Sequence, residues 1–283
     1  MKILVDEYPG LQIITTGSSS FDLSNKINEP LTGRKIEIKL FPFSLEEISK
    51  GQNELEQKRT LENFLIFGSY PENYLGNKEE SIKFLKELAN SYLFKDILDI
   101  VNLRKSETLI KLLRLLAFQI GSLVSFHELA RQIGIDQKIV QKYLYLLEEA
   151  FIIYRLPSFG RNLRKEINKK RKIYFWDLGI RNTLINNYNN LELRNDIGAL
   201  WENFLVLERT KFLEYNQKYA NQYFWRTHDG KEIDYLEEFD GLLHGYEFKW
   251  KKNQFKVPKE FLETYSGSSI KLINKENFLE FLT

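Results

Sequence analysis

Glu247 and Lys249 flank Phe248 in the run YEFKW. Residues two apart on a strand project from one face, so this run offers a carboxylate beside an ammonium. Asp234, in KEIDYLEE, falls on what reads as the neighbouring strand and can lie beside Glu247. Glu202, in a long helix upstream, can join them from above the sheet. Phosphodiester hydrolysis uses such a set. Two carboxylates, here Asp234 and Glu247, hold a hard cation such as Mg2+. The cation polarises the phosphate and supplies hydroxide. A lysine, here Lys249, positions the water and stabilises developing negative charge. Glu202, Asp234, Glu247 and Lys249 are therefore the candidate catalytic residues, and Asp234 and Glu247 the candidate metal ligands. An isolated E-x-K also decorates many exposed edge strands. Here Tyr246 and Phe248 alternate with the charged pair and give the strand one apolar face. A carboxylate on a covered face requires a metal, an ion pair or water.

The elements that must position this set follow from periodicity. NDIGALWENFLVLERTKFLEY reads as a long helix with an apolar face. Three strand-like runs follow, NQYFWRT, KEIDYLEE and LHGYEFKW, separated by Asp229-Gly230 and by Phe239-Asp240-Gly241. Pro258 opens a short helix, SSIKLIN gives a last strand and KENFLEFL a last helix. The order over 195–283 is α-β-β-β-α-β with a terminal helix added.

Upstream, 107–194 reads as helix, short helix, turn, longer helix and strand, the order of a winged helix. Ser125 caps the short helix, with Glu128 three residues on, and Asp136 opens the longer one. In a DNA-binding version the start of the longer helix enters the major groove, with Gln137, Lys138, Gln141 and Lys142 outward. Such modules also serve as protein-docking elements. Residues 155–172 then carry eight basic residues and one acidic, although the whole chain is only +2. Arg161, Arg164, Lys169, Lys170 and Arg171 make this the candidate phosphate-contacting wing. The same run also fits a solvated hairpin loop. Asp177, which precedes the expected helix GIRNTLI, reads as a cap or turn residue rather than a catalyst.

Residues 54–106 form a largely helical connector, interrupted by FGSYPENYLG. Within 1–53, KILVDEY resembles a helix end, while LQIITTGSSS and KIEIKL read as strands. An apolar strand of the first kind needs neighbours on both sides, as in a parallel sheet. The chain thus reads as opening inside an α/β domain. FPFSLEEI follows, with Ser44 and Glu47 at capping-box spacing.

At 283 residues two or three domains are expected, and 43% hydrophobic content supports packed cores. The absence of cysteine excludes disulfides, thiol catalysis and cysteine-ligated zinc. His127, His228 and His244 are too far apart in sequence for a histidine metal spacing. No apolar run is long enough to span a bilayer, so no membrane partner and a cytoplasmic location are expected.

Together these residues resemble the bacterial and archaeal AAA-type ATPases that carry a C-terminal domain similar to PD-(D/E)xK nucleases. The matching blocks are IITTGSSS, LTGRKIEIKLFPFSLEEI, FGSYPE, YLFKDI, LARQIGID, KYLYLLEEAFII, IYFWDLGIRN, LWENFLVLE, FWRTHDGKEIDYL and YEFKW. The resemblance covers nearly the whole chain. It implies an α/β multidomain architecture: an ATPase-core remnant over 1–53, the connector over 54–106, the winged helix over 107–194 and the nuclease-like domain over 195–283. It also implies that Ser18 and Arg34 descend from nucleotide sensors. One departure is decisive for chemistry. The family's G-x-x-x-x-G-K-[ST] loop occurs nowhere in this chain. That loop holds the β- and γ-phosphates, so ATP is not expected to bind here. Asp6-Glu7 do not replace a Walker B pair, because they do not end an apolar strand. The chain reads as an N-terminally truncated member of this family. Three functions are compatible with it: a DNA-binding or protein-interaction module without ATPase activity, a Mg2+-dependent nuclease, or an ATPase completed by another chain.

Overall fold

The computed structural model describes residues 6–8, 10–17, 35–90, 106–160, 171–251 and 254–282. Ser18, Arg34, the YLFKDI block, and Arg161, Arg164, Lys169 and Lys170 of the basic run lie outside these residues.

Four short helices come first. They are α1 Leu45–Ser49, α2 Glu54–Phe67, α3 Pro71–Leu75 and α4 Lys78–Leu88. Reciprocal capping boxes start three of them, at Ser44/Glu47, Asn53/Glu56 and Asn77/Glu80. Each satisfies two backbone groups that a helix start leaves open.

The strands expected over 11–17 and 35–40 do not form. Neither range carries strand structure, and Ile14, Ile36, Ile38 and Leu40 are almost fully solvent-exposed. An apolar strand of a parallel sheet is stable only between neighbours, and among the described residues none stands beside either range.

The next elements are α5 Ser106–Phe118, β1 Leu123–Val124, α6 Phe126–Ile133, α7 Gln137–Glu149, β2 Ile153–Leu156 and β3 Arg171–Phe175. Ser125 and Asp136 cap α6 and α7. The three strands form an antiparallel sheet in the order β1-β3-β2, with β3 in the centre. Helix α8, Leu178–Leu184, follows, and the Asp177 carboxylate accepts from the backbone of Ile180 and of Ser69. Asp177 is thus a cap that also ties α8 to the end of α2. Gly179 lies directly against the Phe67 carbonyl: a Cβ there would sit 2.0 Å from that oxygen.

The C-terminal elements are α9 Ile197–Tyr215, β4 Asn221–Arg226, β5 Glu232–Phe239, β6 Leu242–Phe248, α10 Lys259–Thr264, β7 Ser269–Ile273 and α11 Phe278–Phe281. Their sheet runs β4-β5-β6-β7, antiparallel except for the β6–β7 pair. The β5–β6 turn uses Asp240 and Gly241, both with positive φ, as a two-residue hairpin turn requires.

The protein is therefore a mixed α/β structure with two sheets, and the two sheets touch. Past β2, the Phe224 backbone donates to the Pro157 carbonyl and the Phe159 backbone donates to Phe224, so this segment runs along the β4 edge. One hydrophobic core continues from Leu61 on α2 through Leu113, Leu144, Tyr174 and Trp201 to Phe281. A smaller cluster, Trp225, Ile233, Leu236, Leu243 and Phe261, fills the space under α10.

Candidate functional site

Asp234 lies near the start of β5, and Glu247 near the end of β6. The β5–β6 register pairs Tyr235 with Tyr246, which sets Asp234 beside Glu247. A register shift helps to aim the first of these. Asp234 and Tyr235 stand together against Phe224, because Tyr223 pairs with Leu236 and Trp225 with Ile233. Such a bulge bends the strand and redirects a side chain. The Asp234 carboxylate then accepts from the Phe248 backbone at 2.9 Å. Lys249 follows β6 and donates to Glu247 at 2.6 Å, with Asp234 at 4.0 Å. Glu202, on α9, faces the same junction. The four residues expected to converge therefore do so.

A fifth side chain holds them together. Lys172, the second residue of the central strand β3, places its ammonium 2.8 Å from Glu202, 2.6 Å from Glu232 and 3.5 Å from Asp234. Its side chain is 1% exposed, so these carboxylates are its solvation. Tyr174, two residues on and on the same face, donates its hydroxyl to Glu202 at 2.7 Å. Arg226 reaches the other oxygen of Glu232 at 2.6 Å. Lys172, Tyr174 and Glu232 were absent from the sequence-based site. Their one local signal is a lysine and a tyrosine two apart in the apolar strand KIYF, a pattern that turns both onto one covered face.

The electrostatics follow from this crowding. Burial pushes the Glu202 carboxyl up to about 7, against the pull of Lys172 and with the help of nearby Asp234. Burial, and then Asp234, also raise Glu247. Burial alone would weaken the Lys172 ammonium, but Glu202, Asp234 and Glu232 hold it charged well above its ordinary range. The four carboxylates face three cations, Lys172, Lys249 and Arg226, so a proton on Glu202 relieves the remaining negative charge. Among the described residues, no group of three or more acidic or histidine side chains is arranged to hold a metal ion.

The other candidate surface lies on α7. Val140, Tyr143, Leu144 and Leu147 bury one face. Gln137, Lys138, Gln141 and Lys142 are all exposed on the other, at the N-terminal end of the helix. Arg171, at the start of β3, is half-buried. No described helix is long and apolar enough to cross a membrane.

Comparison with known proteins matches three parts of the chain. Residues 1–49 match a family described as an AAA domain, 58–191 a domain of unknown function (DUF8612), and 197–278 another domain of unknown function (DUF4143). The first match relates the chain to AAA-type ATPases, and its pairing with the last is typical of an AAA-like ATPase family. The chain is similar to an uncharacterized protein of Mycobacterium tuberculosis, at 25% identity over 88% of this chain and 55% of that protein. An uncharacterized protein of Haemophilus influenzae is 24% identical over 82% of this chain and 58% of its own length. One from Methanocaldococcus jannaschii is 26% identical over 80% and 53% respectively. The chain thus spans about half the length of the curated relatives it matches. No solved structure matches it.

Proposed function

We propose that this chain is a nucleic-acid-binding portion of an AAA-type ATPase family protein, with 107–194 acting as a winged helix and 195–283 as a nuclease-like scaffold. The observation that carries this reading is the α7 face, where Gln137, Lys138, Gln141 and Lys142 are exposed while the opposite face is packed. The N-terminal end of such a helix is the part that enters a major groove, and amides and ammonium groups are suited to base edges and phosphates. The basic run 155–172, which follows α7 closely in sequence, adds positive charge to this part of the chain. The test is duplex DNA binding titrated against salt. Binding should weaken steeply with salt, and Lys138→Ala and Lys142→Ala should each reduce the slope by about one. Binding that is absent at low salt, or indifferent to salt, would refute the proposal. With no phosphate-binding loop in its sequence, the chain is expected to turn over no ATP by itself. ATP hydrolysis by the purified polypeptide would overturn that expectation.

The convergence of Glu202, Asp234, Glu247 and Lys249 supports a second reading, a nuclease. It predicts DNA cleavage with Mg2+ or Mn2+ that Asp234→Ala and Lys249→Ala abolish. Equal activity in all three proteins would identify a contaminant.

A further inference from the structure

The carboxylates of a metal-dependent nuclease would hold a divalent cation, yet the residues here do not leave room for one. An ammonium has three N–H donors, and Lys172 has three carboxylates around it: Glu202, Glu232 and Asp234. The lysine cannot readily swing away. It sits in the central strand of its sheet, opposite Leu123 on one side and Leu156 on the other. The Phe224 ring flanks the ammonium at 5.6 Å. The remaining Asp234 oxygen is engaged by the Phe248 backbone, and Glu247 by Lys249.

We infer that Lys172 is the resident cation of this site: its ammonium stands where a divalent ion would, closes the carboxylate set to metals, and fastens β3 to α9 and β5. Charge counting supports this assignment over an ordinary buried ion pair. With Lys172 removed and Glu202 giving up its proton to a metal, Lys249 and Arg226 leave the four carboxylates two positive charges short. That is the charge of one divalent ion. An ordinary ion pair, once broken, only destabilises the fold. This one should be restored by a hard metal, whose ligands are these same oxygens. The inference goes beyond DNA binding by α7 and stands against the nuclease reading, which needs a metal in this site. Its readout does not depend on the α7 surface, so the inference and the DNA-binding proposal can fail separately.

The experiment compares the full chain with Lys172→Met, and with Lys172→Met combined with Glu232→Gln. The double variant lowers the uncompensated charge and keeps Glu202, Asp234 and Glu247. Mn2+ binding is read by electron paramagnetic resonance and by thermal denaturation with Mn2+ or EDTA. The unmodified chain should bind no Mn2+ at the site, and its melting temperature should not depend on the ion. At least one variant should bind one Mn2+ ion, about tenfold or more tighter than the unmodified chain, and melt higher with Mn2+ than with EDTA. Restoring Lys172 should remove the response. Folded variants with no response would overturn the inference, as would Mn2+ binding at this site in the unmodified chain. Failure of both variants to fold even with Mn2+ present would also overturn it, because the ion should then replace the ammonium.

Discussion

Replacing Glu208 should release the segment that joins the ATPase-related residues to the rest of the molecule. Glu208 lies on α9 and is buried, and its carboxylate accepts from Lys211 at 2.8 Å and from the Leu45 backbone at 2.7 Å. Lys211, also buried, donates as well to the Phe43 carbonyl at 3.0 Å. Residues 43–45 are thereby clamped to α9 through a charge pair with almost no water. Glu208→Ala leaves a buried ammonium with one carbonyl and deprives the α1 N-terminus of an acceptor. Breaking such a pair from one side costs about 3–5 kcal/mol. Converting both residues to methionine removes both charges together, and should cost less than either single change, about 0–2 kcal/mol. Urea denaturation of the two single variants and the double variant measures the coupling. Trp176 gives a local readout, because Phe41 stacks on it at 4.4 Å. If the double variant is as unstable as the sum of the two singles, the pair is not coupled and the clamp reasoning is wrong.

Asp196 is held down to about 2: burial opposes its charge, but hydrogen bonds from Arg194 and Arg181 prevail. A depressed carboxyl stabilises the fold above its unfolded value near 4 and loses that contribution as pH falls toward 2, so Asp196→Asn should cost about 2 kcal/mol at neutral pH and flatten the acid limb of the stability curve. Glu202 is shifted the other way. Raised to about 7, it favours folding below its unfolded value near 4.5, and this contribution declines as pH rises through 7. Glu202→Gln should remove that slope, of up to about 3 kcal/mol, from melting temperatures measured between those limits. Gly179→Ala sets a Cβ against the Phe67 carbonyl, backbone against backbone, and should lower stability by about 2–3 kcal/mol in urea. A cost below that of an ordinary surface change would show that α8 can lift from α2 freely.

What local rules decide was legible in the residues alone. Ser44 and Glu47, Ser125, Asp136 and Asp177 cap the helices their spacing indicated, because a cap involves only a few neighbouring residues. The two-residue period of YEFKW put Glu247 and Lys249 on one face, and the hairpin turn brought Asp234 beside them. Lys172 was not legible in this way. It ends a run of eight basic residues that reads as solvated, while its partners come 30, 60 and 62 positions later. Periodicity assigns a face; it does not say which distant charge will cover that face. The 11–17 and 35–40 ranges failed for the complementary reason. The apolar run LQII and the alternation of KIEIKL meet the local conditions for a strand, but a strand exists only through the ladder of another.

The placement of the charged groups along α9 decides how these parts can influence one another. Glu202 faces the Lys172 cluster, Glu208 and Lys211 hold Phe43 and Leu45, and the Tyr215 hydroxyl accepts from the Phe41 backbone. Between them Arg209 grips Glu237 with two hydrogen bonds and donates to the Phe281 carbonyl. From Glu202 to Tyr215 the helix rises about 20 Å. Its apolar residues are packed along most of that length, with Leu205, Val206 and Leu207 essentially inaccessible. A packed helix shifts as a body or not at all. Any displacement that enters at 41–45 therefore reaches the carboxylate junction only if α9 moves, and α9 cannot move without disturbing either Arg209–Glu237 or Lys172–Glu202. The two ion clusters thus act as fixed points. They bind the ATPase-related end, the helical module and the C-terminal sheet into one mechanical unit. Removing the Glu208 clamp should leave Glu202 and its pH dependence unchanged.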